Sequence, residues 1–214
     1  MKHLSISLAR VVVCASRKIV LLAACAVTFT AVAAWAAPAS GSAPIALTGA
    51  DRRPAISLDG DWKTIVDPYS NGLSSYFRNQ TAKPGDIGTV EYNFATSPTL
   101  KVPGDWNTQR ESLFYYEGTV WYEHNFTYQP KEHTRLFLHI GAANYNSSFW
   151  VNGQKVCEHE GGFTSFNCEV TSAVHAGDNF VVAAVNNTRH ADGVPTLRTD
   201  WWNYGGLTRS VSLI

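Results

Sequence analysis

The chain carries little charge. Lysine, arginine, aspartate and glutamate make up 16% of its 214 residues, and the formal net charge is zero. Soluble domains usually contain about 25% charged residues. Because there is no basic excess, the composition argues against a nucleic-acid partner. The pattern also lacks the alternation of strands and helices from which barrel and dinucleotide-binding catalytic domains are built.

Motifs of the common catalytic classes are missing as well. The sequence has no Gly-x-Ser-x-Gly nucleophile elbow, no His-Glu-x-x-His zinc motif and no glycine-rich phosphate loop. Cys157 and His159 lie on one face of a strand-like segment, but a zinc ion takes three or four ligands. We therefore expect neither a metal nor a cofactor.

The first 36 residues have the composition of an export signal. Basic residues precede an apolar run over residues 19–34, no acid occurs before Asp51, and Ala34-Trp35-Ala36 has the pattern of a cleavage site. We expect a periplasmic or secreted protein. An uncleaved membrane anchor remains an alternative, although the run is shorter than the ~20 residues of a typical span. Lipidation at Cys25, which ends a lipobox-like segment, is another.

Cleavage after Ala36 would leave Cys157 and Cys168 as the only cysteines. They lie eleven positions apart around a Gly-Gly pair, so they could face each other across a hairpin. An oxidising compartment would favour a disulfide between them. Two buried free thiols are an alternative that the residues leave open.

The rest of the chain has the pattern of an all-β protein. Residues 37–53 are small and rich in proline, serine and glycine, which predicts a flexible linker. Over residues 54–214, short strand-like segments recur between turn residues, and Asn152-Gly153 is a strong hairpin signal. Residues 67–98 are polar and interrupted by glycine and proline, which predicts a long surface loop. The pattern as a whole predicts one antiparallel β-sandwich domain over residues 54–214.

A dense aromatic segment, "TDWWNYGGLTR", lies close to the end of the chain. In it, Asp200 directly precedes Trp201 and Trp202. An acid beside indole rings is typical of a sugar site, because the ring stacks on the apolar face of a pyranose while the carboxylate accepts hydrogen bonds from hydroxyls. A structural role remains open, in which the tryptophans close the end of the sandwich and Asp200 caps a turn.

Several segments occur in an order that resembles a known family. They are "SLDGDW", "VPGDWN", "FWVNGQKVCEHEGGF", "VVAAVNNTR" and "TDWWNYGGLTR". Together they resemble the N-terminal sugar-binding domain of family 2 glycoside hydrolases, in particular β-glucuronidases and related β-galactosidases. The resemblance covers about residues 54–214. It implies a jelly-roll β-sandwich, like a galactose-binding domain, which is followed in the family by an immunoglobulin-like domain and a (β/α)₈ barrel.

The resemblance also implies roles for the terminal segment. Asp200 matches an acid that reaches into the barrel and hydrogen-bonds the sugar, while Trp201, Trp202, Asn203 and Tyr204 would shape its loop. We interpret Arg209 as a structural partner of that loop. The family's catalytic glutamates lie in the barrel, and this chain contains no Asn-Glu dipeptide of the kind that holds one of them. We therefore assign no catalytic residue here and expect this chain alone to be inactive.

These observations lead to three functional hypotheses. The first is the N-terminal carbohydrate-binding domain of an exported family 2 β-glycosidase, a fragment whose partners are a β-glucuronide or β-galactoside and the enzyme's own immunoglobulin-like and barrel domains. The second is a free-standing exported carbohydrate-binding module, and the third is an adhesion or structural sandwich. The sequence indicates neither the preferred sugar nor the oligomeric state.

Overall fold

The computed structural model describes residues 47–79 and 92–214. The predicted signal peptide, the lipidation site at Cys25 and most of the linker over residues 37–53 lie outside these ranges. Within the described ranges, no helix combines the length and the apolar character that a membrane span needs.

Ten strands in the described ranges form two antiparallel sheets. The four-stranded sheet contains, in spatial order, β1 (Ile56–Ser57), β10 (Val211–Leu213), β5 (Phe137–Ile140) and β8 (Phe166–Glu169). The six-stranded sheet contains β3 (Thr99–Val102), β2 (Gly60–Asp67), β4 (Thr119–Tyr128), β9 (Gly177–Asn186), β6 (Asn146–Val151) and β7 (Gln154–Glu160). The described α-helix is one short turn, α1 (Trp106–Gln109). The fold is therefore the predicted all-β antiparallel sandwich.

The main core lies between the two sheets and follows the two-residue period of the strands. On β4, Val120, Tyr122 and Phe126 belong to this core. Their neighbours Trp121 and Glu123 face the opposite side of the same sheet, because successive side chains of a strand alternate in direction. Each fully buried large side chain contributes about 1.5–3 kcal/mol relative to leaving it exposed.

The predicted hairpin is confirmed at Asn152-Gly153. Both residues have positive φ, 51° and 80°, as the two central positions of a type I′ turn require. Val151 and Gln154 pair across the turn. The Asn152 side chain also ties the hairpin to β9, since its oxygen accepts a 3.0 Å hydrogen bond from the Phe180 amide.

The described parts of the predicted surface loop over residues 67–98 lie mostly at the surface and contain neither an α-helix nor a strand beyond Asp67. They also form three short 3-10 helices, and their aromatic residues cover part of the outer face of the six-stranded sheet. Phe94 is buried, and the Tyr76 and Phe77 rings lie 5.5 Å from those of Trp121 and Trp150, respectively. A few aromatic residues in a polar segment are thus enough to make it a cover for apolar strands.

The structure joins Cys157 and Cys168 in a disulfide with their Cα atoms 5.6 Å apart. The predicted hairpin placement is wrong. Cys157 lies on β7, an edge strand of the six-stranded sheet, whereas Cys168 lies on β8, an edge strand of the other sheet. The chain crosses between the sheets over residues 161–165, so the bond links the two layers of the sandwich at one edge.

Replacing both Cys157 and Cys168 with alanine should lower the free energy of unfolding by about 2–4 kcal/mol, because the link between the sheets no longer restricts the unfolded chain. Urea unfolding of the variant and of the oxidised protein measures the change. The reduced wild-type protein is the matched control, because it loses the link but keeps both sulfur atoms. Equal midpoints for oxidised and reduced protein would contradict a stabilising role.

Glu123 makes stability depend on pH. Burial raises the pKa of its carboxyl above the usual 4.5, against the opposing effects of hydrogen bonds from Asn125 and Asn79 and of the Lys63 charge. The folded protein therefore holds this proton at pH values where the unfolded chain has lost it. This contribution to stability declines as the pH rises from 4.5 through the folded pKa.

Glu123→Gln should accordingly be more stable than the wild type at pH 7, since it removes the buried charge and keeps an oxygen acceptor for both amides. The advantage should shrink as the pH falls towards 4. Thermal unfolding from pH 4 to pH 8 measures it. Glu160→Gln removes an exposed charge from the edge of the same sheet and serves as the control. A pH-independent difference at Glu123 would refute the prediction.

Candidate functional site

The candidate site lies where the chain passes from β9 to β10. The connection covers residues 187–210 and alternates between buried and exposed positions. Asn203 and the two residues Gly205-Gly206 are buried, whereas Asp200 and Trp201 are exposed. The segment Thr199–Gly206, here called the terminal loop, therefore has an anchored half and a free half.

Asparagine side chains hold the anchored half. The Asn203 side-chain amide donates to the backbone carbonyl of Asn187. In return, the Asn187 side-chain amide donates to the backbone carbonyl of Asn203 at 2.9 Å. The Asn144 side-chain amide donates to Asn203 Oδ1 at 3.2 Å and to the backbone carbonyl of Tyr204. Asn187 Oδ1 also accepts from the Gly118 amide at 2.9 Å, so the loop is connected to the entrance of β4.

A second anchor comes from α1. The Gly205 amide donates to Asn107 Oδ1 at 2.9 Å, and the Gly205 carbonyl accepts from the Trp106 amide at 2.9 Å. The indole of Trp106 leaves no room at this position, because a Cβ on Gly205 would lie 2.0 Å from Cζ2 of that ring. Gly206 adopts a φ of 133°, a conformation that side chains disfavour. The Gly-Gly pair is therefore required by close packing and by backbone conformation.

The free half of the loop presents Asp200 and Trp201 to solvent. The Asp200 carboxylate has no hydrogen bond or ion pair with any residue that the structure describes. Trp201 is 71% exposed, and no other described aromatic ring contacts its indole. Its backbone is restrained, since the amide donates to Thr199 Oγ1 at 3.2 Å and the carbonyl accepts from Arg189 at 3.4 Å. Both side chains are thus available to a ligand.

Trp202 belongs to an exposed aromatic cluster. Its ring centroid lies 4.8 Å from that of Phe114, 5.5 Å from that of Tyr115 and 6.3 Å from that of Tyr204. Each of these four rings remains more than a third exposed. Phe114 and Tyr115 come from the turn after α1, so two distant segments of the chain build one aromatic surface.

A pocket of about 410 Å³ opens beside this surface. Its aromatic and proline walls are formed by the residues Phe163, Pro195, Trp201, Trp202 and Tyr204. Asp105, Asn144, Thr208, Arg209, Gly104 and Gly162 complete the lining. The size and the mixture of aromatic walls with a few polar groups are typical of small-molecule sites.

Arg209 was predicted to be a structural partner of the terminal loop, but its described side-chain hydrogen bond goes to a different segment. Its Nη1 donates to the Phe163 carbonyl at 3.0 Å and so holds the turn that follows Gly161-Gly162. Gly162 is also fixed by packing, since a Cβ there would lie 2.1 Å from Asn144 Oδ1. Arg209 therefore supports the wall of the pocket that faces the terminal loop.

The sequence prediction of the site was incomplete. The structure brings Asp200, Trp201, Trp202, Asn203 and Tyr204 into one loop, but only Asp200 and the aromatic residues among them present side chains to solvent. Asn203 is buried and acts as an anchor. The sequence analysis missed the supporting residues Asn107, Asn144 and Asn187 and the ring partners Phe114 and Tyr115. Asn187 directly follows β9, a position that could have marked it, whereas Asn107 lies within α1 and Asn144 two residues before β6.

In the "CEHE" segment, Cys157 is held in the disulfide and His159 packs on an aromatic ring. The His159 ring stacks on Phe166 at a centroid distance of 4.0 Å, and its Nε2 lies 3.2 Å from Thr164 Oγ1. Burial lowers the pKa of the His159 imidazole. No group of three or more potential metal ligands occurs among the described residues.

The fold and the site together describe a β-sandwich domain that presents an acid and aromatic rings from the connection between β9 and β10. The family model "Glycosyl hydrolases family 2, sugar binding domain" matches residues 56–214. The chain therefore belongs to family 2 of the glycosyl hydrolases, through its sugar-binding domain.

Known proteins of this kind are similar over the same part of the chain. A β-glucuronidase of Paenibacillus borealis is 31% identical over 180 residues, which cover 73% of this chain and 28% of that protein. The β-glucuronidase of Rattus norvegicus is 31% identical over 188 residues, with the same two shares. Among solved structures, a Lactobacillus rhamnosus β-glucuronidase has a TM-score of 0.63 at 28% identity, covering 80% of this chain and 29% of that one. The chain thus spans less than a third of the length of these relatives.

Asn203→Ala should destabilise the protein by about 2–4 kcal/mol, because the Asn187 carbonyl loses its buried donor and the Asn144 side-chain amide loses one of its two acceptors. Thermal unfolding measures the loss. Asn146→Ala is the matched control, because the half-buried Asn146 side chain has no hydrogen bond to a described residue; it should change stability by less than about 0.5 kcal/mol. Equal effects of the two substitutions would show that the terminal loop does not depend on this network.

Proposed function

We propose that this chain is the sugar-contacting domain of an exported β-glycosidase that acts on β-glucuronides. One observation carries the proposal: the anchored terminal loop presents Asp200, an exposed carboxylate without a partner in the described residues. A carboxylate held in this way accepts charge-assisted hydrogen bonds from sugar hydroxyls. The glucuronide is favoured over the galactoside because the relatives named above are β-glucuronidases.

The described residues support a binding role and not a complete catalytic one. Hydrolysis by the usual route needs two carboxyl groups, an acid and a nucleophile or base. Asp105, the acid that lines the pocket, caps the start of α1, where it accepts from the Thr108 amide at 2.7 Å and from the Thr108 hydroxyl at 2.8 Å. Glu117 is likewise engaged, since its Oε1 forms an ion pair with Arg189 Nε at 3.1 Å. We therefore assign the chemistry to another domain of the same enzyme.

Export rests on the composition of the first 36 residues and agrees with the disulfide. Basic residues followed by an apolar run are typical of a signal peptide. A disulfide such as that between Cys157 and Cys168 persists in oxidising compartments. The proposal therefore places the enzyme in the periplasm or outside the cell.

A free-standing carbohydrate-binding module is the second candidate. The observation in its favour is that the residues beside the terminal loop form a pocket of about 410 Å³ with aromatic walls. In that case, the chain would bind a glycoside without any further domain, and Asp200 would contribute to binding but to no reaction.

The proposal predicts that Asp200→Asn lowers kcat/KM for an aryl β-glucuronide about 10- to 100-fold in the protein encoded by the complete reading frame. The reason is the loss of a charge-assisted hydrogen bond worth about 1.5–3 kcal/mol. Steady-state hydrolysis of 4-methylumbelliferyl β-glucuronide measures the change. This chain expressed alone gives the baseline and should hydrolyse nothing.

Asp192→Asn is the control, since it removes an exposed acid from the same connection between β9 and β10. It should leave kcat/KM within twofold of the wild type. An unchanged kcat/KM for Asp200→Asn would overturn the assignment of Asp200. A complete reading frame without a catalytic domain would replace the enzyme proposal with the free-standing module.

A further inference from the structure

The pocket beside the terminal loop is largely apolar at its walls. Trp201, Trp202, Tyr204 and Phe163 line it with aromatic rings, and Pro195 adds a further apolar surface. Trp201 is 71% exposed and Phe163 is 61% exposed, so both rings can still bury area against a ligand. Flat apolar groups gain most from such walls, because ring stacking adds to the burial of area.

Two polar groups of the pocket already have partners. Both carboxylate oxygens of Asp105 accept hydrogen bonds from Thr108. The Asn144 side-chain nitrogen donates to Asn203 and Tyr204, whereas its Oδ1 is buried against Gly162 without a hydrogen-bond partner. Arg209 uses Nη1 for the Phe163 carbonyl, which leaves its remaining N–H groups for a ligand.

The aromatic walls suit a planar ring that carries an oxygen substituent. A pyranose carries several hydroxyls, and each one that is buried without a partner costs about 1–3 kcal/mol. A planar aromatic group makes no such demand, and one oxygen substituent is enough to use the free N–H groups of the Arg209 guanidinium. Guanidinium groups also stack on aromatic faces.

We propose that this pocket holds the aromatic aglycone of a glycoside whose sugar is held by Asp200, and that Trp201 and Arg209 select for aryl glycosides. The identification of the bound aromatic group as an aglycone rests on the proposed function. Asp200 does not line the pocket, whereas its neighbour Trp201 does. Adjacent Cα atoms are about 3.8 Å apart, so one glycoside can contact both residues across its glycosidic bond.

The named walls of the pocket are side chains of this chain, so their binding can be measured on this chain. Titration calorimetry of this chain should show saturable binding of 4-methylumbelliferone, a flat phenol with a ring carbonyl. Glucuronic acid should bind at least about tenfold more weakly. Trp201→Ala should weaken the binding of the phenol about tenfold or more, and Trp201→Phe should restore most of it.

Tyr69→Ala is the matched control, because it removes an aromatic ring that is 81% exposed and lies outside the lining of the pocket. It should leave the affinity unchanged. Because Trp201 is exposed, its substitution should not unfold the protein, and circular dichroism checks this. No saturable binding of the phenol, equal binding by Trp201→Ala or tighter binding of glucuronic acid would overturn the inference.

A second measurement separates this inference from the proposed function. In the complete enzyme, Trp201→Ala should raise KM for an aryl β-glucuronide about tenfold but leave KM for methyl β-glucuronide within twofold. Equal changes for both substrates would overturn the aglycone assignment while leaving Asp200 as the sugar contact. Conversely, loss of the Asp200 effect with binding of the phenol intact would refute the proposed function and leave the aromatic pocket in place.

Discussion

The hydrogen-bonded contact between Asn187 and Asn203 is the constraint on which the rest of the site depends. A buried loop has no neighbouring strand to form hydrogen bonds with its backbone N–H and C=O groups. Each such group that is buried without a hydrogen bond would cost free energy. An asparagine side chain carries both a donor and an acceptor, so it can replace a missing strand. Asn187 and Asn203 do this for each other, and Asn144 and Asn107 extend the contact to two further segments.

This anchoring explains how one short segment can be rigid and accessible at once. From Asn203 to Gly206, the chain is fixed by buried amides and by its contact with Trp106. Immediately before it, Asp200 and Trp201 are free of side-chain partners in the described part of the chain. The backbone beside these two residues is already held in place. Binding of a ligand there therefore costs less conformational entropy of the protein than binding to a mobile loop would.

The sequence predicted the features that depend on local pattern. The strands followed from alternation, the β6–β7 hairpin from Asn152-Gly153, and the terminal loop from its density of aromatic residues. The wrong predictions concern contacts between distant segments. Whether Cys157 and Cys168 lie in one sheet or two depends on where the chain crosses between layers, and no local pattern fixes that. The asparagine anchors were missed because asparagine is also the ordinary residue of solvent-exposed turns.

The distribution of exposed apolar groups shows which part of this sandwich is built for contact. The six-stranded sheet could have exposed Trp121 and Trp150 on its outer face, but the segments around Tyr76 and Phe94 cover them. At the end that carries the terminal loop, nothing in the described ranges covers the rings. Of the twelve large hydrophobic residues exposed in those ranges, six belong to the aromatic cluster or line the pocket: Phe114, Tyr115, Phe163, Trp201, Trp202 and Tyr204. Exposed apolar patches of this kind are typical of interaction surfaces, which is the physical basis for proposing a binding role at this loop.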